Sequence, residues 1–333
     1  MEKHGSVAAA WDAYAYKTSR TGGAVDWRRE MAKAESIGVN IITPVDPEYP
    51  PQLLAAQGHP LVLYIKGNVK ALSLPSIAMV GTRKASQYGL DQAYRFGREL
   101  AERGWTIVSG LALGIDAESH RGTLDAEGGI AVGVIGSGLN RFYPERNLKL
   151  ARAIVERGGA VASEFPFDRS PDQTTFPQRN HVVAGLARAT LVVEAPIKSG
   201  TMITAGISAD LGRTVLAIPG RVDAPSSAGC LQLIRDGAVL VRSPGDVEAE
   251  MGTLKLQDDR EKKKLGAMQS RCALSEDEKR ILAATSPEGV SIDEIVRKTG
   301  LSAPQVNSFS MAMLVKGRIR FLPGNKLAPP VEM

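Results

Sequence analysis

The chain has 333 residues, of which 43% are hydrophobic and 23% charged, and its formal net charge is +5. This composition supplies enough apolar residues for packed cores and excludes a chain that is disordered throughout, while the length predicts two or three domains. The modest positive charge agrees with an anionic partner without selecting one, because many enzymes carry a similar excess.

The cysteines, the histidines and the lengths of the apolar runs exclude further classes of protein. Cys230 and Cys272 lie far apart and the four histidines show no metal-ligand spacing, so we expect neither a disulfide framework nor a metal site. The first residues are polar and charged, and no run of 18 apolar residues occurs. We therefore expect a soluble, cytoplasmic protein that has no membrane partner.

The first 45 residues are predicted to form a small helical segment ahead of the main domain. Apolar residues recur at helical spacing from Asp26 to Gly38. Residues 39–42 and 61–65 are short apolar runs, which we interpret as two strands that precede the regular pattern.

From Ser76 onwards, short apolar runs alternate with stretches of helical spacing. Runs this uniformly apolar are typical of strands buried on both faces, and the alternation predicts a doubly wound, mainly parallel sheet with helices on both faces. We expect this extended Rossmann-like α/β domain to span residues 46–250. The predicted strands are 77–80, 106–108, 130–135, 160–162, 191–193, 215–218 and 238–241, and predicted helices include 90–103, 115–127 and 146–157.

The loop at residues 81–89 follows the first strand of this pattern. Ligands of such folds bind beyond the carboxyl ends of the strands. Gly81 permits a sharp turn, outward-facing amides and a helix start attract anions, and Arg83 and Lys84 add positive charge. The loop therefore predicts an anion site, with a plain turn that carries two surface cations as the alternative.

Two further strand-end loops are rich in glycine. Ser109 and Gly110 open one of them, and Gly136 opens the other. Neither matches Gly-x-Gly-x-x-Gly or the Lys-Ser/Thr of a Walker A loop, so neither nucleotide-binding motif is supported.

Residues 163–181 are predicted to be a long irregular stretch. Phe176, Gln178, Arg179 and Asn180 follow one another closely near its end. An aromatic face stacks on a base, a cation meets a phosphate and an amide bonds to a base edge, which is the mixture that single-stranded nucleic acid requires. The alternative is that Phe176 is only a buried anchor.

The loop at residues 194–204 is a third candidate for binding an anion. Lys198, the hydroxyls of Ser199 and Thr201, and the amides around Gly200 would meet an anion at a helix start. Because the carboxyl ends of parallel strands share one edge, we expect these loops to form a groove for a phosphodiester strand.

The C-terminal part is predicted to be a charged linker, residues 251–273, and a winged-helix domain, residues 274–330. Capping signals at Ser275, Ser291 and Ser302 begin three helices, and a turn at 323–325 closes a hairpin. The third predicted helix, 303–315, contains no Lys or Arg. Since a helix in the major groove brings phosphate and base contacts with it, we expect this domain to contact a protein, or DNA only weakly through its wing.

Residues 46–241 resemble the DprA/Smf (DNA-processing protein A) family, with the motifs in the same order and at the same spacing. The residues that carry the resemblance are Gly81-Thr82-Arg83, Ser109-Gly110, Gly114-Ile115-Asp116, Tyr143-Pro144, Ser163-Glu164, Phe176-Pro177-Gln178-Arg179-Asn180, Glu194-Ala195, Ser199-Gly200-Thr201, Thr204-Ala205 and Pro219-Gly220.

The resemblance implies a protein that binds single-stranded DNA without turnover and needs no cofactor. It implies a homodimer formed through the Rossmann-like domain, which protects incoming DNA and loads the RecA recombinase during natural transformation. It also implies that Arg83 and Arg179 meet phosphates, that Asn180 supports them and that Phe176 lies near a base. With the loop residues, the predicted single-stranded DNA site is Arg83, Lys84, Ser109, Gly110, Gly136, Phe176, Gln178, Arg179, Asn180, Lys198, Ser199, Gly200 and Thr201.

Two other functions remain as alternatives. One is a nucleotide-hydrolysing enzyme related to the lysine-decarboxylase-like (LOG) proteins, although the chain lacks their Pro-Gly-Gly-x-Gly-Thr loop. Asp116 and Glu194 would be its acid–base candidates, or else residues that brace loops. The other is a dinucleotide-binding regulator, for which Asp116 lies too near its loop to hold a ribose. We predict a binding protein with no catalytic residues.

Overall fold

The computed structural model describes residues 26–252, 276–286, 288–315, 319–322 and 326–329. Their contacts divide the chain into two compact units, with the boundary between Met251 and Gly252.

The first unit is built around a sheet that has nine strands within the described residues. The strands are β1 (Val39–Ile42), β2 (Leu63–Gly67), β3 (Ser76–Val80), β4 (Thr106–Ser109), β5 (Ala131–Val134), β6 (Ala160–Ser163), β7 (Ala189–Val192), β8 (Thr214–Ala217) and β9 (Val239–Leu240). The helices are α1 (Trp27–Ile37), α2 (Pro51–Leu54), α3 (Gln87–Glu102), α4 (Ile115–Asp125), α5 (Leu148–Glu156), α6 (Thr175–Leu186), α7 (Gly200–Asp210), α8 (Ala228–Arg235) and α9 (244–252).

The strand order confirms the predicted Rossmann-like fold. Across the sheet the order is β1-β2-β6-β5-β4-β3-β7-β8-β9. All neighbouring pairs from β6 across to β9 are parallel, and the two pairs at the opposite edge, β1 with β2 and β2 with β6, are antiparallel. The chain builds outwards from β3 to β6 and then returns to place β7 on the other side of β3. Such a reversal opens a crevice at the carboxyl ends of the strands.

Burial explains why the strands are so uniformly apolar. Every residue of β3, β4, β5, β6 and β7 is buried. A strand covered on both faces has no solvent side, so its sequence shows no alternation of apolar and polar residues. Among the polar residues of these strands, Ser76 is hydrogen-bonded, since its hydroxyl donates to the Leu186 carbonyl at 2.9 Å, whereas the buried Thr190 hydroxyl has no hydrogen-bond partner among the described residues.

The prediction of an irregular stretch over 163–181 is wrong for its last part, because α6 begins at Thr175. The helix buries residues on several sides, including Arg179, Ala184 and Gly185, so its sequence lacks the single apolar stripe that signals a surface helix. Pro177 lies in the first turn, where a missing N–H costs no intrahelical hydrogen bond. The sequence patterns also did not predict the helices α8 and α9.

The predicted boundary at residue 45 does not separate two compact units. β1 pairs antiparallel with β2, from Val39 opposite Lys66 to Ile42 opposite Leu63, so backbone hydrogen bonds join this segment to the sheet. Asp26 caps α1 by accepting from the Arg28 amide at 3.1 Å, and Gly38 ends the helix with φ +63°. Residues 1–25 lie outside the described residues.

The second unit has the helix and strand order of a winged helix, as predicted. Its helices are α10 (Glu276–Ala284), α11 (Ile292–Thr299) and α12 (Ala303–Val315). The strands β10 (Val290–Ser291), β11 (Arg320–Leu322) and β12 (Lys326–Ala328) form an antiparallel sheet in the order β10-β12-β11. Buried Ile281, Ile295, Val306, Met313 and Leu327 form its core.

Parts of the predicted C-terminal pattern lie outside the described residues, namely the capping signal at Ser275, the turn at 323–325 and all of the linker except 251 and 252. Two of the predicted capping signals are present. The Ser291 hydroxyl accepts from the Glu294 amide at 3.4 Å, and the Ser302 amide donates to the Gln305 side chain at 3.0 Å. In the part of the chain that the structure describes, every helix is too short or too polar to cross a membrane.

Two glycines allow α3 and α4 to pack closely. A Cβ atom added to Gly97 would overlap the Ser119 carbonyl oxygen, and one added to Gly122 would overlap the Tyr94 carbonyl oxygen. Backbone atoms cannot move aside as a flexible side chain can. The two helices therefore depend on the absence of a side chain at both positions.

We expect Gly122→Ala to lower the free energy of unfolding by about 1–3 kcal/mol, the usual cost of overfilling a packed interior. The matched control is Gly206→Ala on α7, where nothing lies within 4 Å of an added Cβ. That change should raise the free energy of unfolding by about 0.5–1 kcal/mol, because alanine restricts the unfolded chain. Urea denaturation measures both, and equal effects of the two substitutions would contradict the packing argument.

Candidate functional site

The predicted site loops lie at one edge of the sheet. β5, β4, β3 and β7 are neighbours in that order and run parallel, so the loops that follow them leave from the same side. The expectation that they share an edge is therefore confirmed.

A small pocket at this edge collects aromatic, apolar and cationic side chains. The Arg83 guanidinium carbon lies 5.0 Å from the centre of the Phe176 ring, within the range of a cation–π contact. The Tyr143 ring lies 6.1 Å from the Phe176 ring at a tilt of 53°. We call this the aromatic pocket, and its lining residues are Arg83, Gly110, Ala112, Leu113, Tyr143, Pro144, Phe176 and Arg179.

Arg83 and the two aromatic rings form the accessible part of this pocket. Arg83 is exposed, Phe176 is half-buried and Tyr143 is 47% exposed. An arginine beside an aromatic face presents a charge and a stacking surface at the same point.

Arg179 is buried below the aromatic residues and holds three segments together. Only 5% of the residue is exposed. Its Nη1 donates to the Gly110 carbonyl and to the Val134 carbonyl, the latter at 2.7 Å, and its Nε donates to Asn180 Oδ1 at 3.1 Å. The guanidinium therefore ties α6 to the loop after β4 and to the end of β5.

Asp116 is the buried carboxylate that accompanies Arg179. Its Oδ2 accepts from the amides of Gly110 at 3.1 Å and Ala112 at 3.3 Å. Burial raises the pKa of Asp116, while the positive charge of Arg179 acts in the opposite direction. Burial lowers the pKa of Arg179, and the negative charge of Asp116 opposes that change. The two charges compensate each other in an environment from which water is excluded.

The loop between β4 and α4 has an unusual backbone. Leu111 has a φ of +52°, a left-handed value that a leucine rarely adopts, and its side chain is fully buried. The Asn147 side chain donates to the carbonyls of Leu111 at 2.9 Å and Ala112 at 3.0 Å. Bonds from Asp116, Asn147 and Arg179 thus maintain a conformation that the chain alone would disfavour.

Glu194 has a similar bracing role at the loop after β3. It is 2% exposed and accepts from the Ser86 amide and the Ser86 hydroxyl, each at 2.8 Å. Ser86 in turn caps α3 by accepting from the Gly89 amide at 3.1 Å. Glu194 therefore sets the path of the loop that carries Arg83 and Lys84.

The remaining predicted residues of the first three loops and of α6 differ in how accessible they are. Lys84 and Gln178 are exposed, and Asn180 is half-buried. Ser109 is fully buried, and its hydroxyl donates to the Met79 carbonyl at 2.6 Å. Gly110 lies directly under the Arg179 guanidinium, and a Cβ added to Gly136 would lie 3.0 Å from the Phe176 ring. These two glycines leave room for the side chains above them.

The loop after β7 lies at the same edge but does not line the aromatic pocket. Lys198 and Gly200 are exposed, and Thr201 is 8% exposed. The Ser199 hydroxyl donates to the Pro196 carbonyl at 2.9 Å. Lys198 is therefore the accessible charge of this loop.

The site contains residues that the sequence patterns did not single out for binding. Tyr143 and Leu113 line the aromatic pocket, and Arg121 and Arg146 lie in a neighbouring cleft together with Arg83. The sequence signals Tyr143 only as part of the Tyr143-Pro144 motif of the family resemblance, without a binding role. Arg121 on α4 has no sequence signal, because a surface arginine on a helix is common.

The helix α1 supports the site from a distance. The Glu30 carboxylate accepts from the Phe167 amide at 3.0 Å, and Lys33 Nζ lies 3.3 Å from Asp168 Oδ2. Asp168 also accepts from the Asn140 side chain at 2.8 Å. The segment after β6 is thus held between α1 and the segment after β5, which leads on to Tyr143.

The same segment continues to the start of α6. The Gly138 amide donates to the Arg169 carbonyl at 2.8 Å. Asp172 then caps the helix by accepting from the amides of Thr174 at 2.8 Å and Thr175 at 3.0 Å. Contacts therefore run without interruption from Glu30 to Phe176.

His120 is a buried ionisable group away from the aromatic pocket. It is fully buried on α4, and burial lowers its pKa to about 3. The imidazole is therefore neutral near pH 7 and does not line the aromatic pocket.

Family models match both units of the chain. The model described as DNA recombination-mediator protein A matches residues 40–252, and the DprA winged helix domain matches residues 266–325. Protein Smf of Escherichia coli is 38% identical over 286 residues, which cover 85% of this chain and 76% of that protein. The DNA processing protein DprA of Streptococcus pneumoniae is 40% identical and covers 62% of this chain and 72% of that protein.

Solved structures agree with these matches. The structure of DNA processing protein A from Streptococcus pneumoniae has a TM-score of 0.61 at 38% identity, covering 66% of this chain and 77% of that one. DNA processing protein A from Helicobacter pylori, in a study of its single-stranded DNA binding mode, has a TM-score of 0.58 at 26% identity. That match covers 65% of this chain and 96% of the other.

We expect Glu30→Ala to loosen the segment between β6 and α6, because the buried Phe167 amide loses its acceptor. Hydrogen exchange of the amides from 165 to 176 should become at least about tenfold faster, which corresponds to the loss of about 1.4 kcal/mol, within the range for a buried donor left unpaired. Glu30→Gln keeps an acceptor oxygen and should exchange at close to the wild-type rate. Equal exchange in all three proteins would contradict the bracing role of α1.

Proposed function

Because this chain belongs to the DNA recombination-mediator protein A family, DprA/Smf, we propose that it binds single-stranded DNA at the aromatic pocket. We further propose that it protects incoming DNA and loads the RecA recombinase onto it during natural transformation. The DNA-processing role is a property of the family. Single-stranded DNA as the ligand, the aromatic pocket as its site and RecA as the partner are what we propose.

The observation that supports the proposal most strongly is the contact between Arg83 and Phe176. The Arg83 guanidinium carbon lies 5.0 Å from the centre of the Phe176 ring, so a base stacked at this ring would bring its phosphate close to Arg83, and one pair of side chains would serve both parts of a nucleotide. Stacking and charge attraction both tolerate any base, which suits a protein that handles DNA of every sequence. The Helicobacter pylori relative has the same fold, and its structural study concerns its single-stranded DNA binding mode.

The predicted residues divide into two roles in this proposal. Arg83, Lys84 and Lys198 are exposed charges that would meet phosphates, and Gln178 and Asn180 would offer amides to base edges. Arg179 donates to two backbone carbonyls and to Asn180, so any phosphate contact it makes would use what remains of its guanidinium. We propose that Ser109, Gly110, Gly136, Ser199, Gly200 and Thr201 contribute through the backbone path of their loops.

We propose a binding and recombination-mediator protein without catalytic turnover. The two acid–base candidates of the hydrolase alternative, Asp116 and Glu194, are buried and bonded to loop amides, a geometry that favours bracing. Among the described residues, His, Cys, Asp and Glu do not form any group of three or more that is suited to a metal ion. A homodimer through the Rossmann-like domain and the contact with RecA rest on family membership.

We expect Arg83→Ala and Phe176→Ala to weaken single-stranded DNA binding in different ways. Arg83→Ala should reduce the slope of log K against log salt by about 0.7, the value for one phosphate on a single strand. Phe176→Ala should cost about 1–3 kcal/mol of binding free energy and leave that slope unchanged, because stacking involves no counterion release. Fluorescence anisotropy with labelled oligo-dT, against a duplex of equal length, gives both quantities.

The control for this pair is Arg103→Ala, which removes an exposed arginine that is paired with Glu248 at 3.2 Å. Arg103 follows α3 and precedes β4, so it lies at the opposite edge of the sheet. It should bind DNA as the wild type does. Normal binding by Arg83→Ala at several salt concentrations would overturn the site, and tighter binding of the duplex would overturn the choice of ligand.

The winged helix is proposed to contact a protein, or DNA only through its wing. The exposed residues of α12 include Pro304, Asn307 and Ser308, and the helix contains no cation. We expect Asn307→Ala to change duplex affinity less than about twofold, because in this proposal α12 does not touch the bases, whereas Lys326→Ala should weaken any residual duplex binding. Anisotropy with the full chain tests this, and tight duplex binding that depends on Asn307 rather than Lys326 would contradict it.

A further inference from the structure

An open cleft of about 430 Å³ adjoins the aromatic pocket. The two share Arg83 and Leu113, so Arg83 stands on the boundary between them. The far wall of the cleft is formed by α4 and by the residues that precede α5. None of the predicted binding residues except Arg83 and Lys84 lies in it.

The cleft is strongly cationic. Its charged residues are Arg83, Lys84, Arg121 and Arg146 on the positive side and Glu118 on the negative side. Within the described part of the chain, Arg83, Lys84 and Arg146 form no salt bridge. Arg121, by contrast, is paired with Glu118 one turn earlier on α4. Unpaired cations that converge on one concave surface create a field that attracts an anion.

The wall that carries Arg146 is held in place. Asn147 is 1% exposed, and its side chain donates to the carbonyls of Leu111 and Ala112 in the loop before α4. The same loop contributes Ala112 and Leu113 to the aromatic pocket. The distance between the cationic cleft and the aromatic pocket is therefore set by buried hydrogen bonds.

We propose that this cleft binds the sugar–phosphate backbone of the strand whose base occupies the aromatic pocket, with Arg121 and Arg146 as its phosphate contacts. The inference rests on the proposed function and adds to it the path of the strand. The aromatic pocket is small and offers the exposed parts of its rings as a stacking surface, whereas the cleft is wider and charged, which suits phosphates and their sugars. The strand would then pass over Arg83 and across α4.

Glu118 has a distinct role in this proposal, since it is the carboxylate that faces the cleft. It neutralises Arg121 in the free protein and must release it when a phosphate arrives. Glu118 therefore weakens binding, and its replacement by an uncharged group of the same shape should free Arg121. Replacement of Glu118 should therefore raise the affinity for DNA, whereas removal of a cation should lower it.

The test measures the affinity of the full chain for labelled oligo-dT as salt is raised. We expect Arg121→Ala and Arg146→Ala to weaken binding and Glu118→Gln to strengthen it. Between about 50 and 200 mM salt, the ratio of Kd for each arginine variant to wild-type Kd should narrow by about 2.6-fold for each phosphate that is no longer neutralised. Arg103→Ala, at the opposite edge of the sheet, should change neither the affinity nor its dependence on salt. Thermal melting of each variant should show that it folds.

The possible outcomes separate this inference from the proposed function. If Arg83→Ala and Phe176→Ala weaken binding while the Arg121, Arg146 and Glu118 variants bind as the wild type does, the path across α4 is wrong and the aromatic pocket stands. If none of the five variants changes affinity, both proposals fail. If Glu118→Gln weakens binding, the proposed competition between Glu118 and phosphate is wrong.

Discussion

The candidate site depends on one buried interaction, the guanidinium of Arg179 bonded to backbone carbonyls in the loop after β4 and at the end of β5. It joins α6 to Gly110 and Val134, and its charge is compensated by Asp116, which in turn bonds the amides of Gly110 and Ala112. A buried charge is costly unless it is both paired and fully bonded, so these groups are mutually dependent. Phe176, one turn before Arg179, takes its position from this arrangement.

Charged residues at the edge of the sheet divide by burial into two groups with different consequences. Asp116, Arg179 and Glu194 are buried and bonded within the protein, so they hold loops and their charges are compensated internally. Arg83 and Lys84 are exposed on loops that the buried group positions, so their charges remain available to a ligand. A rigid arrangement of exposed cations lowers the entropy lost when an extended anion binds.

The contacts that support the site extend beyond the edge of the sheet. α1 bonds to the segment after β6 through Glu30 and Lys33, and that segment leads through the Asp172 cap to α6. The N-terminal helix is therefore part of the support of the site and not an appendage. The winged helix, by contrast, has its own core and an α12 without cations, so its chemistry differs from that of the first unit.

The sequence by itself determined the doubly wound sheet, the loops at its carboxyl edge and the exposed charges Arg83 and Lys84, because these follow from local runs and turns. Tertiary structure decided that α6 is a helix, that Arg179 is buried and that Tyr143, Arg121 and Arg146 approach Arg83. Periodicity reports only whether a residue has a solvent side, and α6 is covered on several sides. Contacts between residues far apart in the chain depend on the path of the backbone, which no local pattern encodes.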